Sequence, residues 1–191
     1  MRTILFSLLA ASAAMAQATT LTLSINADDF CEAYISVDDT IQGGQFLAKT
    51  STWQAGAQTN SVVLTQGVTN YLHIRARDAF GAPSMILAMA TISDINGTFE
   101  NGTQTLLSNP SEWKVSLTGW GQNYFIPSDL GADGTQVWQD TAGIPNEARH
   151  IWSQQTSGEH YFSVPIRVVP EPATMVMLGV GALALVRRRK S

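Results

Sequence analysis

The chain has 191 residues, 45% hydrophobic and only 14% charged, with a formal net charge of -4, which fits one ordinary domain with a sizeable core plus short terminal segments. Setting aside Arg2, Arg187, Arg188, Arg189 and Lys190 leaves six Lys and Arg against fifteen Asp and Glu in the rest of the chain. A surface of that balance repels phosphates, which argues against nucleic acid and anionic membranes as partners and suits an extracellular protein that meets neutral sugars or cations.

In chain order, the first element predicted is a secretory signal peptide over residues 1–18: one cation at Arg2, an apolar run from Ile4 to Ala14, then small residues. Two cuts satisfy the small-x-small rule, after Ala16 or after Ala18. The second is preferred because the mature chain then starts at the strand-like "TTLTLSIN". An uncleaved helical anchor is the weaker alternative, since the apolar run is short for a membrane span.

From residue 19 the hydrophobic period is two. Leu21, Leu23 and Ile25 share one face of a strand, and Leu72, Ile74 and Ala76 share one face of another, leaving His73, Arg75 and Arg77 toward solvent. Trp113, Val115 and Leu117 alternate with Lys114 and Ser116. Turn chemistry separates these runs at "VDDTIQGG", Asn96-Gly97, Asn101-Gly102 and "GADG", and no window of a dozen residues sustains an amphipathic helix before the tail. Residues 19–169 are therefore expected to form one all-β sandwich or barrel. Its single cysteine, Cys31, cannot form an internal bridge and alternates with Ala33, Ile35 and Val37, which reads as a small core residue.

Catalytic signatures are missing from the sequence. His73, His150 and His160 are scattered, with no zinc spacing and no Gly-x-Ser-x-Gly elbow. Gly179 to Ala184 matches a dinucleotide fingerprint in letters, but no strand precedes it and no βαβ unit contains it. No cofactor, metal site or catalytic residue is expected. The paired acids Asp28-Asp29 and Asp38-Asp39 flank a strand, where turn capping explains them better than calcium. For a sugar ligand the physical need is an aromatic face with hydroxyl partners; the candidates are Trp53, Trp120 and Trp138, with Trp53 expected to be exposed and Trp113 and Trp152 expected in the core.

Four stretches, taken in order, resemble a known family: "NADDFCEAYISVDDTIQGG" (26–44), "TQGVTNYLHIRARDAFGAPSMILAMATI" (65–92), "SEWKVSLTGW" (111–120) and "ARHIWSQQTSGEHYF" (148–162). Their pattern of Asp-rich start, hairpin with Gly-Pro loop, and Ile-Trp pair before a Tyr-Phe strand is similar to galactose-binding-like jelly-roll domains. The resemblance implies a jelly-roll β-sandwich and a glycan as candidate ligand.

The tail, "VPEPATMVMLGVGALALVRRRKS" (169–191), combines Pro170, Glu171 and Pro172, an uncharged run 173–186, and the cations Arg187, Arg188, Arg189 and Lys190. As a helix the run would be about 21 Å long and its basic end would stay cytoplasmic, giving a single transmembrane sorting helix. In that order the parts closely resemble the PEP-CTERM sorting signal (170–191) of Gram-negative bacteria that make exopolysaccharide. The resemblance implies an exported protein held transiently in the inner membrane, cut near the triplet by an exosortase-type membrane transpeptidase, and passed to the cell surface or medium. Two function classes follow: a non-catalytic protein of the surface or exopolysaccharide matrix, and a secreted polysaccharide-active hydrolase.

Overall fold

Strand β1 (Thr20–Asp28) shows why these residues make a sandwich: Leu21, Leu23, Ile25 and Ala27 alternate along it and all are fully buried. The computed structural model describes residues 18–135 and 137–170; the expected signal peptide and the segment from Glu171 lie outside them. Ala18–Pro170 forms one unit. The remaining strands are β2 (Phe30–Ser36), β3 (Gln45–Thr50), β4 (Gln58–Val63), β5 (Thr69–Arg77), β6 (Met85–Ile92), β7 (Gly97–Phe99), β8 (Thr105–Leu107), β9 (Lys114–Ser116), β10 (Ser128–Ala132), β11 (Arg149–Trp152) and β12 (Glu159–Val168). Among the described residues the helical content is one 3-10 turn, Trp53–Ala55.

The strands build two antiparallel sheets. The first runs β10-β11-β6-β1-β4 with β8 beside β6, and the second runs β3-β2-β5-β12-β7 with β9 beside β12. Leu21, Leu23 and Ile25 of the first sheet meet Ala33, Leu72, Ile74, Phe162 and Val164 of the second in one core cluster. Trp113 and Trp152 belong to it, as expected. The all-β sandwich expected from the period of two is therefore the observed architecture.

Strand β6 departs from simple alternation because both of its faces are covered. Ile86, Ala88 and Ala90 look into the sandwich, while Met85 and Leu87 join a second cluster with Trp138, Ile144 and Ala148. A strand buried on two sides reads as a continuous apolar run, which is what "MILAMATI" is. At the start of β7, Gly97 is required sterically: a Cβ there would sit 2.7 Å from Ile92 Cγ2. Cys31 is buried and accepts a hydrogen bond from Thr50 Oγ1 at 3.3 Å, and burial pushes its thiol up to about 11, so it stays an inert core group.

One expectation is corrected. His73 points outward from the second sheet, yet it is 0% exposed, because the segment after β9 folds back and lays Trp120 over it with ring centroids 5.0 Å apart. His150 and His160 are equally buried and stack on Trp138 (4.9 Å) and Trp152 (4.4 Å). Each of the three imidazoles keeps a ring nitrogen without a hydrogen-bond partner among the described residues. Burial lowers the pKa of all three, that of His160 to about 4.

A histidine held neutral in the fold stabilises it fully above its ordinary pKa and loses that contribution as pH falls toward the folded value. Urea melts should therefore show stability falling between pH 6.5 and 4, with His160 alone contributing ~3 kcal/mol of the loss. A flat profile across that window would contradict the burial of these rings. Cys31→Ala should lower stability by only about 1 kcal/mol, measured in the same melts, since it removes one sulfur from a site that Thr50 still lines.

Candidate functional site

A groove of about 460 Å³ opens where the β5–β6 connection, β10 and the residues after β11 come together. Its walls include Ser84, Leu130, Trp138, Trp152, Ser153 and Gln154. Trp138 reaches it from the irregular segment after β10 and is fixed by its indole N–H, which donates to Asp28 Oδ2 at 2.7 Å. Asp28 stands at the end of β1 beside Asp29 and Asp78. Burial raises its carboxyl to about 6; Asp29 and Asp78 push it in the same direction, while the Trp138 hydrogen bond opposes them.

The neighbouring carboxylates are spent on structure. Asp78 Oδ1 accepts from the backbone N–H of Phe80 and Gly81, both at 2.8 Å, and its Oδ2 accepts from Ser84 Oγ at 2.5 Å. Asp29 Oδ2 accepts from Ala79 N–H at 3.0 Å. These acids close the corner that leads into β6. At the second acid pair, Asp38 Oδ1 accepts from Ser36 Oγ, Thr40 N–H and Thr40 Oγ1, and Asp39 Oδ1 accepts from Tyr124 and Ser163 hydroxyls. Among the described residues no group of three or more His, Cys, Asp or Glu is placed to hold a metal.

Ser153 Oγ and His160 Nδ1 sit in hydrogen-bond contact at 3.1 Å, the donor set by the imidazole tautomer. Gln155 O accepts from the Trp152 indole and lies 3.0 Å from Ser153 Oγ, while His160 Nε2, on the far side of the ring, has no hydrogen-bond partner among the described residues. No third group therefore orients the imidazole from behind, as a nucleophile's base would need. What the groove offers is an apolar wall with hydroxyl and amide groups beside it.

Two of the three aromatic candidates are corrected. Trp120 is 8% exposed: its indole N–H donates to Phe162 O at 3.0 Å, and Tyr34, His73 and Tyr161 pack around it at 6.1, 5.0 and 5.0 Å. Trp138 is 2% exposed, with His150 against its ring, and contributes only an edge to the groove. Neither presents a free face to a sugar ring, because each covers the outer side of a sheet. Trp53 is half-buried, packed on the Trp138 cluster, and its carbonyl accepts from Asn26 Nδ2 at 3.0 Å. The groove residues missed in the sequence are Trp152, Ser153 and Gln154. Their signal was "IWSQQT", an aromatic followed by hydroxyl and amide side chains in a loop.

At the opposite end of β12 the chain leaves the body under tight control. Val168 O accepts from Gly67 N–H at 3.1 Å and Val169 N–H donates to Asn96 O at 2.8 Å. The Gly67 turn is held by Asn70, whose side-chain amide bonds Thr65 N–H, Thr65 O and Val68 O. Pro170 follows directly. Glu171, Pro172, the apolar run 173–186 and the cations Arg187 to Lys190 lie outside the described residues.

Residues 168–190 match the family model described as the PEP-CTERM protein-sorting motif. The chain carries a PEP-CTERM sorting motif. The motif implies export, processing by an exosortase at a membrane, and sorting to the cell surface. No curated protein and no solved structure matches the chain. Among the described residues no helix is long and apolar enough to cross a membrane, and the apolar part of the PEP-CTERM motif lies beyond them.

Trp138→Phe removes the one hydrogen bond that favours ionised Asp28, so the Asp28 carboxyl should titrate above its present value of about 6. Carboxyl carbon chemical shifts followed against pH would show this, and an unchanged midpoint would break the link. Trp53→Ala should lower stability by ~1–3 kcal/mol in urea melts, because its ring packs on the second cluster.

Proposed function

We propose that this protein is a non-catalytic component of the bacterial cell surface or exopolysaccharide matrix, delivered there through its PEP-CTERM motif and acting by binding. The observation that carries the reading is the motif at 168–190, which begins where the last core strand ends. In this reading residues 1–18 are removed as a signal peptide and the run 173–186 pauses in the inner membrane with Arg187 to Lys190 inside. The exosortase then cuts near Pro170, Glu171 and Pro172. Pro-x-Pro suits that role, because it holds the backbone extended and keeps the following helix from starting within the recognised stretch.

The body is assigned to the galactose-binding-like jelly rolls on the four sequence stretches given above and on its two antiparallel sheets. A glycan is the ligand class proposed, taken in the groove of Trp152, Ser153 and Gln154, whose apolar wall and hydroxyl partners fit a neutral sugar. The competing reading is a secreted polysaccharide-active hydrolase. The lack of a partner at His160 Nε2, where a group orienting a catalytic base would stand, favours binding over turnover.

Replacing Pro170, Glu171 and Pro172 together by alanine should leave export intact and accumulate a full-length form in the membrane fraction. Mass spectrometry of the surface form of the unaltered protein should find neither residues 1–18 nor Arg187 to Ser191. An intact basic end on mature surface protein would show a permanent anchor and overturn the sorting reading. Soluble sugars released from a polysaccharide by the purified protein would decide for the hydrolase.

A further inference from the structure

An exposed sheet edge offers unpaired backbone groups to any other strand, and folds protect such edges by keeping them short, bulging them, covering them or charging them. Most edges of this domain carry one of these devices. Strands β7, β8 and β9 are three residues each, and Phe125 bridges to Val115 beside β9. Strand β3 shifts register opposite Ala33 and Tyr34 and carries Lys49. Strand β10 is irregular between Asp129 and Ala132, and its Asp129 is paired with Arg149.

Strand β4 has none of them. It is six residues long, pairs with β1 in unbroken register and has no strand on its other side. Thr59, Asn60, Ser61 and Val63 are exposed, Val63 to 59%. Residues 50–74 contain no Asp, Glu, Lys or Arg, and neither do the β1 residues 20–25 that face β4. The hydroxyls of Thr59 and Ser61 hydrogen-bond those of Ser24 and Thr22, both at 2.8 Å, which fastens the edge to β1.

The register also fixes which backbone groups face out. Leu64 N–H donates to Thr19 O at 2.9 Å, so the even-numbered residues of β4 are the ones that exchange hydrogen bonds with β1. The N–H and C=O of Thr59, Ser61 and Val63 therefore point away from the sheet, and among the described residues no backbone group meets them. Those three residues are symmetric about Ser61. An antiparallel copy of the same strand, turned about a two-fold axis there, sets Ser61 against Ser61 and Thr59 against Val63, and each facing pair exchanges two hydrogen bonds.

We propose that β4 pairs with β4 of a second copy of this chain about that axis, joining the first sheets of two molecules into one continuous sheet. Charge selects the place: two acidic bodies repel each other over most of their surface, and the neutral β1–β4 margin is where they meet without facing like charges. A foreign peptide added to an edge takes its specificity from side-chain pockets beside it. Neither the Trp152 groove nor the groove of Phe30, Lys49 and Arg77 includes a residue of β4. A second copy needs no pocket, because the strand itself brings the β-branched pair Thr59 and Val63 together across the join. The pairing depends on neither the sorting reading nor a glycan.

The test uses the full chain in a nonionic detergent, with single cysteines introduced on β4, oxidised by diamide, quenched by alkylation and read on nonreducing gels. Cys31 is buried and stays out of the reaction. Across the axis the two Ser61 Cα atoms stand about 5.5 Å apart, within disulfide reach, whereas the two Thr59 residues are about 14 Å apart. Ser61→Cys should therefore form dimers roughly tenfold faster than Phe80→Cys, which replaces a 90% exposed residue of the β5–β6 connection. Thr59→Cys and Val63→Cys should crosslink when mixed and not separately. Adding Ser61→Lys to both should abolish the mixed product at an unchanged melting temperature, since like charges then face each other at an exposed position. Ser61→Cys no faster than Phe80→Cys would overturn the proposal, and is what association through the tail or capture of a foreign strand would give. So would Thr59→Cys crosslinking alone as well as it does with Val63→Cys.

Discussion

Four indole N–H bonds hold together what the strands alone cannot. Trp113 donates to Leu107 O, Trp120 to Phe162 O, Trp138 to Asp28 Oδ2 and Trp152 to Gln155 O, each between 2.7 and 3.0 Å. With one 3-10 turn as the helical content among its described residues, this domain covers the outer sides of its sheets with irregular chain, and such chain has little periodic packing to fix it. Tryptophan supplies both needs, a large apolar plate and one polar tip that locks its position. Trp120 roofs the second sheet and Trp138 the first, and each encloses a histidine that water would otherwise reach.

That arrangement makes the exterior layers depend on protonation. The enclosed imidazoles are neutral because they are dry, and they stay dry because the indoles cover them. Asp28 works in the opposite sense. Its raised carboxyl favours the fold when protonated, and that contribution is lost as pH rises through about 6. The two effects oppose each other across the same interval, so the Trp138 segment, which touches both Asp28 and His150, is where the pH response of the first sheet is concentrated.

The period of two in Leu21, Leu23 and Ile25, or in Leu72, Ile74 and Ala76, was sufficient to read strands and a sandwich, because burial of one face is written locally. The motif at 168–190 was legible for a similar reason: its parts are contiguous. Trp120, Trp138 and His73 were misplaced because what covers an outer face comes from elsewhere in the chain, and alternation reports only which side a residue is on. The row of alternating charge on the second sheet was hidden for a third reason. Lys49, Glu32 and Arg75 become neighbours only through the registers of β2 with β3 and β5, and no count of residues contains those registers.

The close fastening of Val168 and Val169 to Gly67 and Asn96 ties the last described residues to two separate turns of the body. A pull applied at Pro170 would load both of these hydrogen bonds together with the registers of β12 against β5 and β7, so the strand would resist peeling from the sheet at that end.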